Sequence, residues 1–302
     1  MKKTLRRLAV IALASSMIVS SGIISMADET TTAATADLST DAVATATEDQ
    51  RVVDFYKDSI IIGDSVADGF ARYAMNRTTN PLLANLKFCT MASYSIHQEL
   101  QPIGTDGVKH LWNGGTQHYA YELPILTNTR HIYLSLGLND IKARPSEVFD
   151  MYKTMIGQIV TANPYADITI ISTTYIHPDA QKSLAGIKSW AFDNDTVRKL
   201  NTSMQEYAAA NGYGYIDIAN RLTDGNGNLN PAYCTDPSGD GIHQTAEAYA
   251  IWVQCLREYA ASQNYVHASD AAWNAALAEM AAQAAAGSTN DVVSADTVPA
   301  LS

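Results

Sequence analysis

Ile60-Ile61-Ile62-Gly63-Asp64-Ser65-Val66-Ala67-Asp68-Gly69 is the stretch whose reading decides the fold. An apolar, β-branched run passes into Gly-Asp-Ser and then into a helical pattern, so the chain leaves a buried strand through a tight corner. A serine at such a corner projects from the carboxyl end of its strand. Its own amide lies at a helix N-terminus, where an N–H can stabilise an oxyanion. Asp64 and Ser65 are also good helix-capping types, so this stretch alone leaves capping and catalysis equally open.

Moving outward, similar runs recur at Lys87-Phe88-Cys89-Thr90, His131 to Leu136, Ile168 to Ser172 and Gly214 to Ile218. Helical patterns separate them. Pro145 to Ala162 places Val148, Tyr152, Met155, Ile156 and Ile159 at helical spacing, Phe192 to Ala210 ends at Asn211-Gly212, and Thr245 to Tyr259 closes the unit. Near-continuous apolar strands alternating with helices imply a parallel sheet covered on both faces. The expectation is an α/β fold: a three-layer α/β/α sandwich with a five-stranded parallel sheet, its ligands gathered at the strand carboxyl ends. A chain of 302 residues that is 47% hydrophobic supplies one good core without requiring two. That core is assigned to residues 51–262. Residues 263–302 read as an Ala-rich helix and a disordered tail, with Trp273, Leu277 and Met280 on one helical face packing back on the domain.

The beginning of the chain speaks to location. Lys2, Lys3, Arg6 and Arg7 precede an apolar run from Leu8, and Ser25-Met26-Ala27 offers small residues before Asp28. This is the pattern of a cleavable signal peptide over residues 1–27, followed by a Thr/Ala-rich disordered linker over 28–50. The expected location is therefore extracellular, with no stable membrane span after processing. Losing those four cations and no acid takes the formal charge from −11 to −15. Such a surface lacks the basic footprint of a nucleic-acid or anionic-lipid binder, and suits a neutral or cationic substrate. Cys89, Cys234 and Cys255 are too few and scattered for a disulfide framework, although a Cys234–Cys255 bridge is possible.

Two further motifs fall at strand ends. Leu134-Ser135-Leu136-Gly137-Leu138-Asn139-Asp140 ends the third strand, where an Asn amide can donate to the same oxyanion or simply form a turn. Asp236-Pro237-Ser238-Gly239-Asp240-Gly241-Ile242-His243 precedes the last helix. An Asp and a His three residues apart on a loop can hydrogen-bond, the acid fixing the tautomer while the other ring nitrogen acts as base.

Gly-Asp-Ser after the first strand, Gly-x-Asn-Asp after the third and Asp-x-x-His after the last resemble, in content and order, the SGNH/GDSL hydrolases. The resemblance covers roughly Val53 to Tyr259. It implies a flavodoxin-like fold, no metal, no cofactor, and ester hydrolysis through an acyl-enzyme. By that resemblance Ser65 is the nucleophile, His243 the base, Asp240 its orienting acid, and the Ser65 amide with Asn139 the oxyanion hole. One departure stands out. The family's second block supplies a Gly after the second strand, whereas this chain reads Thr90-Met91-Ala92-Ser93-Tyr94-Ser95-Ile96-His97, leaving open which amide between Ala92 and Ile96 takes its place.

The resulting expectation is a secreted serine esterase acting on short acyl esters, with small esters or acylated carbohydrate as partners. An O-acyltransferase on the same triad and a non-catalytic glycan-binding protein are the alternatives. His97 and His177 are candidates to line the cleft, and Trp112 to stack on a sugar ring or cover the core. Asp179 and Asp193 read as a solvated face, and Asp224-Gly225-Asn226-Gly227-Asn228-Leu229 as a plain turn rather than a calcium loop.

Overall fold

The structure is a computed structural model that describes residues 48–77, 79–141, 143–184 and 193–290. The stretch read from sequence as a signal peptide, nearly all of that read as a linker, and the last residues of the tail lie outside them. The first described element, helix α1 (Glu48–Phe55), begins inside the stretch read as linker.

Strand β1 (Ser59–Gly63) is buried along its whole length: both of its edges are paired, and helices cover both faces of the sheet. On one side lies β2 (Lys87–Thr90), and on the other β5 (His131–Ser135), followed by β6 (Asp167–Ile171) and β7 (Gly214–Ile216). The sheet order is β2-β1-β5-β6-β7 and every pairing is parallel. These are the five strands expected from the apolar runs, β7 ending two residues early. Between β1 and β5 the winding reverses direction, so a crevice opens there beyond the strand ends.

Helices cover both faces. On one, α9 (Ala246–Ser262) packs against α1 and against α2 (Ser65–Met75), with the short α3 (Pro81–Asn85) beside them. On the other, α4 (Ile96–Glu99) and α8 (Asn194–Asn211) pack on α6 (Pro145–Ala162). The stripe read from sequence on α6 is the buried one: Val148, Tyr152, Met155, Ile156 and Ile159. Short helices α5 (Leu123–Leu126) and α7 (Pro178–Leu184) fill connections.

A hairpin was missed by the apolar pattern. Leu111–Asn113 (β3) and Thr116–His118 (β4) pair antiparallel about Gly114-Gly115, both at positive φ. The two-glycine turn was its only signal, since six polar-rich strand residues carry no apolar alternation. Trp112 stands on this hairpin 58% exposed and does not cover the core.

At the amino end of the sheet the last helix, α10 (Ala268–Asn290), is docked by charge and stacking rather than by an apolar stripe. His267 lies flat between Phe55 (3.9 Å) and His131 (3.5 Å), and its Nε2 donates to the Phe55 carbonyl at 2.9 Å. Arg130 pairs with Asp270 at 2.5 Å and sits over Trp273, which meets Tyr165 edge-on. Leu277 remains 39% exposed, so the expected packing stripe is docked at Trp273 and open at Leu277. The Asp167 carboxyl is pushed up by burial but pulled further down by His131 and His267, ending well below the usual carboxylate range.

Two glycines carry the geometry at the other end of the sheet. A Cβ on Gly63 would lie 2.4 Å from the Ala67 Cβ and 2.8 Å from the Ser135 carbonyl oxygen. Gly137 holds φ at +119°, a conformation L-residues avoid, with Thr173 Oγ1 against it. Gly63→Ala is therefore expected to cost about 1–3 kcal/mol through overpacking. Urea titration reads this directly, and an unchanged midpoint would show that the α2 corner yields freely.

Candidate active site

The corner after β1 is built by Asp64. Its amide donates to the Ser135 carbonyl at 3.3 Å, and its side chain caps α2 by accepting from the Val66 amide at 3.0 Å. The capping reading of Asp64 is thus correct, and it leaves Ser65 at the first helical position, half-buried. The Ser65 N–H has no partner among the described residues, as the geometry of a helix start leaves it.

His243 reaches this corner through α9, which starts three residues after it. Tyr249 Oη donates to the Val66 carbonyl at 3.0 Å and Phe70 packs on Trp252, pinning α9 to α2. His243 is close enough to Asp64 for its charge to act on that carboxyl. No hydrogen bond joins Ser65 Oγ to His243 among the described residues.

The acid that meets His243 is Asp236, not Asp240. Nδ1 of His243 lies 2.6 Å from Oδ2 of Asp236, while Asp236 Oδ1 accepts from the His243 backbone amide at 3.1 Å. Asp240 is exposed and makes no hydrogen bond or ion pair with the described residues. The reason is the shape of the loop. Thr235 N donates to the His243 carbonyl, Thr245 N to the Tyr233 carbonyl, and Cys234 bridges Gln244, so the two ends of the loop run antiparallel. That ladder sets Asp236 across from His243. Asp240 is carried to the outer tip by a turn in which the Gly239 and Gly241 amides both donate to the Asp236 carbonyl. The carboxylate of Asp236 only accepts, which places a proton on Nδ1 and leaves the Nε2 lone pair available as a base.

Asn139 and Asp140 leave the end of β5 and grip the loop after β2. Asn139 Nδ2 donates to the Tyr94 carbonyl at 2.9 Å, using one of its two amide hydrogens. Asp140, 3% exposed, accepts from the Ile96 and His97 amides, each at 3.0 Å. Ser93 holds φ at +61°, the left-handed region that favours glycine, so a left-handed turn exists in this block without a glycine to make it. Within 92–96, Ile96 N–H is taken by Asp140 and Tyr94 N–H by the Met91 carbonyl. The Ala92, Ser93 and Ser95 amides have no partner among the described residues.

Several other residues weighed from sequence lie apart from this constellation. His97 is exposed. His177 is buried behind the 236–243 loop, its amide donating to the Gly241 carbonyl and its Nδ1 accepting from the Asp179 amide. Asp193 caps α8 through the Thr196 amide. Asp224 spends its oxygens on Asn226 and Asn228, a local turn. The three cysteines are separately buried and free.

His131, Asp167 and His267 present donor atoms within 4.8 Å of one another. The two imidazoles are stacked 10° from parallel and 3.5 Å apart, and an imidazole lone pair lies in its ring plane. An ion shared by both would sit far out of both planes, with the Arg130 guanidinium 3.3 Å from His131. The arrangement suits a helix dock rather than a metal centre.

Among the described residues no helix is long and apolar enough to cross a membrane. The profile of the GDSL-like lipase/acylhydrolase family matches residues 61–251, more than half of the chain, and the chain belongs to that family. Its fold is similar to that of a putative acylhydrolase from Bacteroides fragilis, at 15% identity and TM-score 0.51, over 76% of this chain and 100% of the other. A GDSL-like lipase from Bacteroides thetaiotaomicron aligns at 16% identity and TM-score 0.49, over 66% and 85%. A carbohydrate acetylesterase from Sinorhizobium meliloti aligns at 13% and 0.45, over 68% and 99%. No curated protein sequence matches the chain significantly.

The corner has a pH signature. Burial pushes the Asp64 carboxyl up to about 7, with Asp140 adding to the rise and the Val66 amide and His243 opposing it. A carboxyl that holds its proton more tightly folded than unfolded stabilises the protein below the unfolded pKa of about 3.9. That contribution is lost as pH rises through the folded value near 7. Asp64→Asn keeps an acceptor for Val66 and carries no charge. Its Tm relative to the parent should rise between pH 5 and pH 8; a difference that is flat across that range would mean Asp64 is ionised throughout.

Proposed function

We propose that the chain is a secreted serine esterase that hydrolyses short-chain carboxylic esters, with O-acetyl groups on carbohydrate as its substrate class. The observation that carries the reading is the 2.6 Å His243–Asp236 pair, which leads into α9, the helix bonded through Tyr249 to the first turn of α2, where Ser65 stands. Export rests on the basic and apolar pattern of the first 27 residues.

Ser65 Oγ attacks the ester carbonyl while His243 Nε2 takes its proton, and Asp236 holds the imidazole in the required tautomer and stabilises the imidazolium. The hydroxyl and the base close to hydrogen-bonding distance as substrate binds. The charge that develops on the carbonyl oxygen is met by the free Ser65 amide and by the second amide hydrogen of Asn139. His243 then protonates the leaving alcohol, and a water activated by the same imidazole releases the acid.

Turnover of p-nitrophenyl acetate by the mature chain tests the reading. Ser65→Ala should abolish it while melting within a few degrees of the parent. Asp236→Asn should lower kcat by roughly 10⁴, as loss of the orienting acid does in comparable triads. Asp240→Asn should leave kcat within about twofold; the reverse ranking of the two Asp variants would restore Asp240 as the acid. Asn139→Ala should lower kcat about a hundredfold at little-changed KM. Equal activity of Ser65→Ala and the parent would end the proposal.

A further inference from the structure

Asp140 is a buried carboxylate that the reaction sequence leaves unused. It sits one residue beyond Asn139, 3% exposed, after a tight turn in which its amide donates to the Gly137 carbonyl at 2.9 Å. Its two oxygens each take a backbone amide from a loop far away in sequence: Oδ2 from Ile96 and Oδ1 from His97, both at 3.0 Å. Beside it, Asn139 donates into the same loop at the Tyr94 carbonyl. Two consecutive side chains thus grip one loop with opposite polarity, the amide through a carbonyl and the carboxylate through two N–H groups.

That grip determines which backbone donors the loop has left. The first turn of a helix has orphan amides. In α4 the Ser95 hydroxyl takes that of Gln98, and Asp140 takes those of Ile96 and His97. Only amides upstream of Ile96 remain to face the crevice. The buried Tyr94 is in turn fixed at its ring tip, where Oη donates to Glu99, itself held by the Ala120 amide at 2.8 Å. A carboxylate in this place does not itself stabilise an oxyanion, because both carry negative charge. Its effect has to run through the loop it holds.

We infer that Asp140 is a positioning residue for the oxyanion hole. It locks the 92–97 loop in register with Asn139, so that the donors of both loops converge on one point. The inference rests on the serine esterase reading above. It touches no substrate, and it requires a carboxylate. An Asn at 140 accepts on one oxygen, and its own amide hydrogens would face an N–H.

The test uses the full mature chain with p-nitrophenyl acetate, comparing Asp140→Asn, Asn139→Ala and the double variant. A loop displaced by about 1 Å costs on the order of a hundredfold in turnover. Asp140→Asn is therefore expected to lower kcat per folded molecule about ten- to a hundredfold, with KM within about twofold. Because both side chains act on one loop, the double variant should lose less than the product of the single losses. Should Asp140→Asn not fold, His97→Pro removes one gripped amide at an exposed, first-turn position, where proline is tolerated; it should lower kcat several-fold. An unchanged kcat per folded molecule, or a lower Tm with purely multiplicative losses, overturns the inference. Activity that does not depend on Ser65 overturns the parent reading instead, so the two failures are distinct.

Discussion

At Gly63 the backbone passes so close to Ser135 that a single methyl group would collide with its carbonyl oxygen, and the Asp64 amide crosses the same gap to bond that oxygen. This contact between the end of β1 and the end of β5 closes the sheet at the place where its winding reverses. Helix α2 can begin only after the corner, with Asp64 as cap and Ser65 as first residue. The loop bearing Asn139 departs from the opposite bank. The position of Ser65 and the departure point of the Asn139 loop are therefore consequences of strand pairing.

Burial at this junction makes its carboxyls expensive unless each is provided for. Asp64 is partly relieved by the Val66 amide and by proximity to His243, and burial still lifts it to about 7. Glu99 is lifted to about 7 as well, against the pull of Tyr94 and the Ala120 amide. Asp140 has two amide donors to hold its charge. Natural cores keep such groups where they fix one arrangement against its near neighbours, and here the fixed arrangement is the approach of two loops. At the far end of the sheet, Asp167 between two imidazoles does the same for α10.

The strands were legible because a doubly covered parallel strand must be apolar throughout, and Ile60-Ile61-Ile62 or Ile168 to Ile171 have no other stable setting. Gly63 and Gly137 were legible as glycines at strand ends, though the contacts that require them were not. The β3–β4 hairpin was illegible because its six residues bury little. Docking of α10 was misjudged in mechanism: the pattern of Trp273, Leu277 and Met280 suggested an apolar stripe, while His267, Arg130 and Asp270 carry much of the attachment. Ionic and stacking contacts between distant elements leave no periodic trace in a sequence.

The pairing of His243 with Asp236 leaves no trace in the sequence for a related reason. Two acids precede His243, and the one nearer along the chain, Asp240, fits the family's spacing. A carboxylate three residues from a histidine reaches its ring only if the intervening backbone curls back toward it. In this loop the curl is directed elsewhere, since Gly239 and Gly241 both turn their amides onto the Asp236 carbonyl and lift Asp240 outward. The ladder formed by Thr235 with His243 and by Cys234 with Gln244 then faces residue 236 toward residue 243. One carboxylate consequently binds both the ring and the backbone amide of His243, which fixes the imidazole's direction as well as its tautomer. A lone contact from the tip of the loop would supply charge to the ring without that second constraint.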